Sequence, residues 1–219
     1  MGSVIGELLP LAIGLAISPI PIVAIILMLL SRDAAGTSTG FAVGWIAGIL
    51  CVTTVLVLLS GSADTADSGE PSAAVSWIKI AVGVALIALA AKQWHDRADT
   101  AEPGWMRALD GFTFPKAVGL GALLSAVNPK NLLLCVSAGA AIGTGGLPGS
   151  QETIALAVFT VLAASTVVIP VVGYRIAGER LHGELDTLKN WLQTNNHMVM
   201  AIVLLIMGTV VAGKGIGGL

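Results

Sequence analysis

Long apolar runs separated by short polar segments make up most of this chain. Six of these runs approach or exceed the ~20 residues that an α-helix needs to cross a hydrocarbon core of ~30 Å. Little sequence remains outside them. The pattern therefore predicts an all-α integral membrane protein with six transmembrane helices. The six runs lie at about residues 4–30, 41–60, 73–91, 117–142, 153–174 and 197–213.

Proline interrupts the first and the fourth of these runs. The first break reads Ser18-Pro19-Ile20-Pro21, and the second reads Asn128-Pro129-Lys130-Asn131. Proline removes a helical hydrogen bond, and hydrocarbon offers no water to satisfy the carbonyl that is freed. Interrupted spans at corresponding positions in two halves of a chain point to a transporter's binding site near the middle of the membrane. We predict that helices 1 and 4 are broken at proline and that the two breaks meet there.

The spacing of the breaks predicts two repeats. Pro19 and Pro129 lie 110 residues apart in a chain of 219 residues. A single transmembrane domain, residues 1–219, would then hold one three-helix repeat at about 1–92 and a second at about 117–219. A cytoplasmic linker at about 93–116 would join them.

Two pairs of hydroxyl residues repeat at a similar spacing. Thr53-Thr54 and Ser165-Thr166 lie 112 residues apart, in the second and fifth runs. The alternative is coincidence, because hydroxyl residues are common in membrane helices, where they bond carbonyls of their own helix. We take these four residues as secondary candidates for the site.

Composition agrees with a membrane protein. The chain is 55% hydrophobic and 11% charged, whereas about a quarter of the residues in soluble domains are charged. A net charge of −2 provides no basic surface for nucleic acid. Cys51 and Cys135 fall inside predicted spans, where a thiol usually acts as a small hydrophobic group.

Lysine and arginine predict the orientation of the chain. Eight of them lie in the loops after the first, third and fifth runs, and one lies on the opposite side. Because cytoplasmic loops carry the excess of these residues, we expect a multi-pass protein of the cytoplasmic membrane with both termini outside. The two halves would then be inverted relative to each other. The eight residues are Arg32, Lys92, Arg97, Arg107, Lys116, Arg175, Arg180 and Lys189, and the ninth is Lys214.

Lys130 is the leading candidate for function. A cation near the bilayer centre costs ~2.5 to 3.5 kcal/mol on insertion scales. Beside the positive N-terminus of a half-helix, and with Asn128 and Asn131, it would favour a carboxylate, phosphate or sulfate. In a second interpretation, compatible with the first, Lys130 donates to the carbonyls freed by Pro19 and Pro21 and locks the broken spans together. The candidate substrate-binding residues are Ser18, Pro19, Pro21, Asn128, Pro129, Lys130 and Asn131.

Three other patterns predict structure more than chemistry. Lys79 lies near the end of the third run, where its side chain can extend to the interface. Gly40, Gly44 and Gly48 recur every four residues, which is typical of a close helix packing face. Leucines recur at helical spacing over residues 181–192 with charged residues between them, which predicts an amphipathic helix on the cytoplasmic interface.

The residues that are missing also restrict the function. No Asp or Glu lies well inside a predicted span, whereas divalent metals prefer carboxylate and other oxygen ligands. The sequence contains no Walker A motif for ATP and no recognisable pairing of a nucleophile with a base. We therefore expect no metal, no cofactor and no enzymatic activity.

The chain resembles a known family of membrane proteins. The chain resembles the LysE superfamily of small exporters in its six short spans and in two proline motifs, Ser18-Pro19-Ile20-Pro21 and Asn128-Pro129-Lys130. Its compact, apolar sequence is most similar to the GAP branch, the peptidoglycolipid or sulfolipid addressing proteins of mycobacteria and related actinobacteria. The resemblance implies movement of a lipid or glycolipid, or its anionic precursor, across the cytoplasmic membrane toward the cell surface.

Two other functions stay open. Amino-acid exporters of the superfamily commonly carry Asn-Pro-Gly-Pro, whereas this chain has Ser18 and Ile20 in place of Asn and Gly. Export of amino acids or other small metabolites is therefore the first alternative, and a non-transporting assembly factor for lipid biosynthesis is the second. We place lipid transport first, because an anionic headgroup needs only a cation. The expected partners are membrane lipids and the substrate, and a homo-oligomer is left open.

Overall fold

The structure is a computed structural model that describes residues 1–63, 73–98 and 111–219. These ranges are helical almost throughout and contain no β-strand. Short 3-10 segments follow the fourth and seventh helices. The α-helices are α1 (Gly2–Ala16), α2 (Pro19–Leu29), α3 (Ala34–Ala63), α4 (Ala73–His95), α5 (Phe114–Ala126), α6 (Pro129–Gly143), α7 (Gly149–Ala177) and α8 (His182–Ile216).

The helices agree with a multi-pass membrane protein. Helices α3, α4, α7 and α8 are each long and apolar enough to cross a membrane. Two further pairs meet the same criterion when each pair counts as one bent span: α1 with α2 at 53°, and α5 with α6 at 66°. The apolar helices and the breaks in the first and fourth spans are confirmed.

Each break follows from the residue that precedes proline. Ser18 (φ −119°, ψ 103°) and Asn128 (φ −60°, ψ 121°) are both extended, because proline pushes its predecessor out of the helical region. Pro19 and Pro129 then begin the next helix, where a backbone N–H would have no helical partner in any case. The chain thus stops one helix and starts another within two residues.

Close packing joins α3 to α5. Gly40, Gly44 and Gly48 all face α5, and a Cβ atom at Gly44 would collide with the backbone of Val118. Small residues let two helices approach backbone to backbone. The predicted packing face is confirmed.

A second close contact joins α4 to α8. A Cβ atom on Gly83 would lie 2.5 Å from the Ala212 nitrogen, and one on Gly208 would lie 2.9 Å from the Gly83 carbonyl oxygen. These helices pack along most of their shared length. The half-helices α1, α2 and α6 bury apolar side chains between the α3–α5 and α4–α8 pairs.

The last helix differs from the prediction. Helix α8 runs without interruption over 35 residues, or about 52 Å, so the amphipathic segment 181–192 is the beginning of the last span. The prediction of a separate helix on the interface was wrong. Leu185 and Leu192 pack inside the protein, whereas Leu188 is exposed.

Half of the predicted linker at 93–116 lies outside the described residues, because 99–110 are not described. The division into two repeats stays a prediction.

Candidate functional site

Lys130 connects the two broken spans. Its Nζ donates to the carbonyl oxygens of Gly14 (2.7 Å) and Ile17 (3.1 Å) at the end of α1. The Ile17 carbonyl lacks a helical donor because Pro21, four residues on, has no N–H. The Gly14 carbonyl lacks one because the Ser18 N–H turns to a different carbonyl. Lys130 thus bonds the carbonyl freed by Pro21, as the second interpretation expected, together with the Gly14 carbonyl, which neither proline frees.

The burial of Lys130 is unusual for a cation. Its side chain is fully buried, with 2% of the residue exposed, and no carboxylate of the described residues forms an ion pair with it. Removing an ammonium from water costs several kcal/mol unless its donors are satisfied. Two of its three N–H donors have partners in the described part of the chain, so one remains for a further acceptor.

A hydroxyl residue completes the first break. Thr166 Oγ1, on α7, donates to the Ala16 carbonyl at 2.7 Å. This residue was a secondary candidate, and it lies beside the break. Among the described residues, the other three secondary candidates make no such hydrogen bond to the first break. Ser165 bonds a carbonyl of its own helix, Thr54 is half-buried, and the buried Thr53 hydroxyl has no oxygen or nitrogen partner among the described residues.

The second break is satisfied by its own residues. Asn128 Oδ1 accepts from the Lys130 backbone N–H at 3.1 Å, which caps the start of α6. Asn131 Nδ2 donates to the Leu124 carbonyl at the end of α5, at 2.9 Å. Both asparagine side chains, which we expected to join Lys130 in an anion pocket, thus also bond the local backbone.

Polar atoms without partners remain at the junction of the breaks. Within the described ranges, the buried Ser18 Oγ and Asn131 Oδ1 make no hydrogen bond. Such atoms cost roughly 1 to 3 kcal/mol each, and they are often kept at functional sites. Pro19 and Pro21 are buried beside Ser18, whereas Pro129 is exposed on the surface of the helices.

The structure also shows a charged cluster that sequence reasoning missed. Lys79 Nζ lies 3.0 Å from Glu7 Oε1, and Lys214 Nζ lies 3.7 Å from Glu7 Oε2. We had treated Lys79 as a residue that extends alone to the interface. The available signal was that all three residues lie near span ends on one predicted side of the membrane.

The described residues contain no group of three or more His, Cys, Asp or Glu side chains that could hold a metal ion. That finding covers only these ranges. The expectations that the protein needs no metal or cofactor and is not an enzyme stay predictions.

One comparison with known proteins gave a match. Residues 8–217 match the sequence model of the family described as Sap, sulfolipid-1-addressing protein. A search of curated proteins and a search of solved structures gave no match. The matched region spans both breaks and every candidate residue, and it begins one residue after Glu7. This confirms the resemblance to the addressing proteins, whereas a place in the LysE superfamily stays a prediction. The chain belongs to the sulfolipid-1-addressing protein family.

Proposed function

We propose that this protein moves a lipid or glycolipid with an anionic group across the cytoplasmic membrane toward the cell surface. The anionic group would be held where the two broken spans meet. The family description supports a lipid with a sulfated headgroup. The observation that carries the proposal is Lys130, a buried cation between two broken helices with an N–H donor left for another acceptor.

Helix contacts support two inverted repeats. Helix α3 packs on α5 and α6, and its counterpart α7 packs on α1 and α2. Helix α2 packs on α8 while its counterpart α6 packs on α4, and the third spans α4 and α8 pack on each other. Exchanging the two halves reproduces these contacts. Repeats of this kind place the substrate site at their interface, which is where Lys130 lies.

The ends of the helices support an orientation with both termini outside. Ser76, near the start of α4, donates to the Gly218 carbonyl beyond α8. The C-terminus therefore lies at the same end of the protein as the start of α4. Arg175 donates to Thr39 at the opposite end, where the predicted cytoplasmic cations collect. Arg107, one of those cations, lies outside the described residues.

Cargo would replace the contacts that Lys130 makes now. Lys130 and Ser18 are 2% and 1% exposed, so the junction is closed in this structure. An ammonium bonds an anionic oxygen more strongly than a neutral carbonyl. Binding of a sulfate or phosphate ester would therefore release the Gly14 and Ile17 carbonyls and let the two spans separate.

The test is lipid display by cells in which the gene is deleted and then restored as a variant. Lys130→Met keeps most of the apolar stem and removes the charge, and it should abolish display of the lipid. Lys116→Met is the matched control, because Lys116 is exposed at the start of α5, and it should display the lipid normally. Membrane levels of both variants must match the wild type. Normal display by Lys130→Met would refute the proposal, and failure to accumulate would leave Lys130 with a structural role only.

Translocation by the purified protein separates transport from assembly. Proteoliposomes that contain only this chain and a fluorescent sulfated lipid should move the lipid between leaflets faster than protein-free liposomes. No acceleration would favour the assembly factor. Faster exchange of a labelled amino acid, but not of the lipid, would favour the metabolite exporter.

A further inference from the structure

A second polar site lies at the end of the protein where α1 begins and α8 ends. Four polar residues meet there from four helices, and apolar side chains fill the space between them. We call this the Glu7 cleft. Its lining residues are Glu7 and Leu11 of α1, Lys79 of α4, Ser137 of α6, and Val210, Val211 and Lys214 of α8.

The charges of the Glu7 cleft do not balance. Glu7 faces two ammonium groups, Lys79 at 3.0 Å and Lys214 at 3.7 Å. Among the described residues, one carboxylate faces two cations, which leaves one positive charge without a carboxylate partner. Lys214 is the more weakly held of the two, because its distance to Glu7 is longer and its side chain is 36% exposed, against 17% for Lys79. The Lys214 ammonium is therefore the cation that is free to bind another anion.

Ser137 provides an independent observation. Ser137 lines the Glu7 cleft and is 5% exposed, and its Oγ atom has no hydrogen-bond partner among the described residues. A buried hydroxyl with no acceptor is costly unless a ligand or water supplies one. A hydroxyl donor next to an unbalanced cation is a suitable environment for an oxyanion.

The position of the cleft favours a lipid headgroup as the source of the anion. Glu7 lies about 8 Å along α1 from its start, near one end of the first span, and the ends of spans lie close to the headgroup region. Trp77 and Ile78, beside Lys79, are 60% and 49% exposed and apolar. An acyl chain can lie against Ile78 while the headgroup enters the cleft.

We propose that the Glu7 cleft binds one sulfate or phosphate ester of a lipid headgroup, with Lys214 and Ser137 as the donors. Glu7 acts as the internal counter-ion that pairs the lysines when the cleft is empty. This second site is separate from the break junction and depends on no step of the proposed transport. Ser137 and Lys130 lie on the same half-helix, seven residues or about 10 Å apart.

The test compares two lipids that differ only in sulfate. Purified full-length protein in neutral detergent is mixed with sulfatide or with galactosylceramide, and bound lipid is counted by native mass spectrometry. Sulfatide should be retained and galactosylceramide should not. Lys214→Gln and Ser137→Ala should each weaken sulfatide binding by a few-fold to about tenfold, the effect of losing one hydrogen bond to an anion. Lys116→Gln should change nothing.

Glu7→Gln distinguishes a binding site from an ion pair that serves only stability. The amide removes the competing negative charge, so sulfatide should bind about tenfold more tightly even if the empty protein is less stable. A cluster with only a structural role would give no change in lipid affinity. Opposite signs for Glu7→Gln and Lys214→Gln are therefore the expected result.

Further measurements identify the source of the anion and distinguish the Glu7 cleft from the break junction. Inorganic sulfate should compete only weakly, and full displacement of sulfatide by equimolar sulfate would overturn the assignment to a lipid. Equal retention of both lipids, or retention that none of the cleft variants alters, would overturn the site itself. Lys130→Met should lose the sulfatide held at the break junction and keep the one held at the Glu7 cleft, and adding Lys214→Gln to it should weaken the sulfatide that remains. Loss of all bound sulfatide in Lys130→Met alone would show that the two sites are one.

Discussion

The two proline breaks both leave backbone groups without helical partners, and each break satisfies these groups in a different way. At the second break, Asn128 and Asn131 satisfy a freed N–H and a freed carbonyl from within the same span. At the first break, the freed carbonyls take their donors from other spans, Lys130 of α6 and Thr166 of α7. The self-contained break therefore supplies the cation on which the other break depends.

This difference bears on how the protein could change conformation. Separating the spans would leave the second break with its bonds intact but would deprive the first of three donor contacts. A backbone that loses its donors in hydrocarbon needs a substitute. Water that enters with the cargo, or a hydroxyl group of a glycolipid, would have to donate to the carbonyls of the first break and not to those of the second.

The largest effect on stability is expected for Lys130→Met. The change leaves the Gly14 and Ile17 carbonyls without a donor, and removal of the buried charge offsets only part of that loss. The free energy of unfolding should fall by about 2 to 4 kcal/mol, measured by chemical unfolding in detergent. Lys116→Met should match the wild type. Equal stability of both variants would show that the first break does not depend on the second.

A smaller effect is expected when the helix caps are compared. Asn128→Ala removes the side-chain cap of α6 and should cost about 1 kcal/mol. Ser18 occupies the same position before α2, but its buried hydroxyl makes no cap bond and has no partner among the described residues, so Ser18→Ala removes an unsatisfied polar group and should raise stability by about 1 kcal/mol. Unfolding measured side by side checks the contrast. Equal losses would remove the distinction between the breaks.

The smallest effect is expected for Thr166→Val, which removes one donor to the Ala16 carbonyl. That carbonyl also accepts from the Ser18 N–H at 2.9 Å, so the loss should be about 0.5 to 1 kcal/mol. Ser165→Ala is the neighbouring control and should cost less, because Ser165 bonds only its own helix. A larger loss for Ser165→Ala would contradict the assignment of Thr166 to the first break.

Much of the fold was readable from the sequence because its signals are local. Proline at 19 and 129 sets the breaks, and the glycines of α3 mark a packing face. The continuation of α8 was not readable from the polar stretch 193–196. Thr194 and Asn195 donate to carbonyls of their own helix, so this stretch supports the helix where its polarity suggested an end.

The site could be predicted only in part, because the residues that contact one another in it are far apart in the chain. Lys130 stood out as a charge inside a span, but the carbonyls that it bonds carry no sequence signal. Glu7, Lys79 and Lys214 come together only because α1, α4 and α8 begin or end at the same end of the protein. Each residue alone resembled an ordinary charge near a span end.

The glycine contacts of α3 determine which of the two broken spans can pivot. Because the backbones of α3 and α5 touch along Gly40, Gly44 and Gly48, these two helices move as one stiff body. No glycine of α1 or α7 gives their contact a similar fit. Gly139 gives α6 the same close fit, because a Cβ atom there would lie 2.8 Å from the Thr53 carbonyl oxygen of α3. Both halves of the fourth span are therefore anchored to α3, and a change of angle at the breaks would fall on the first span.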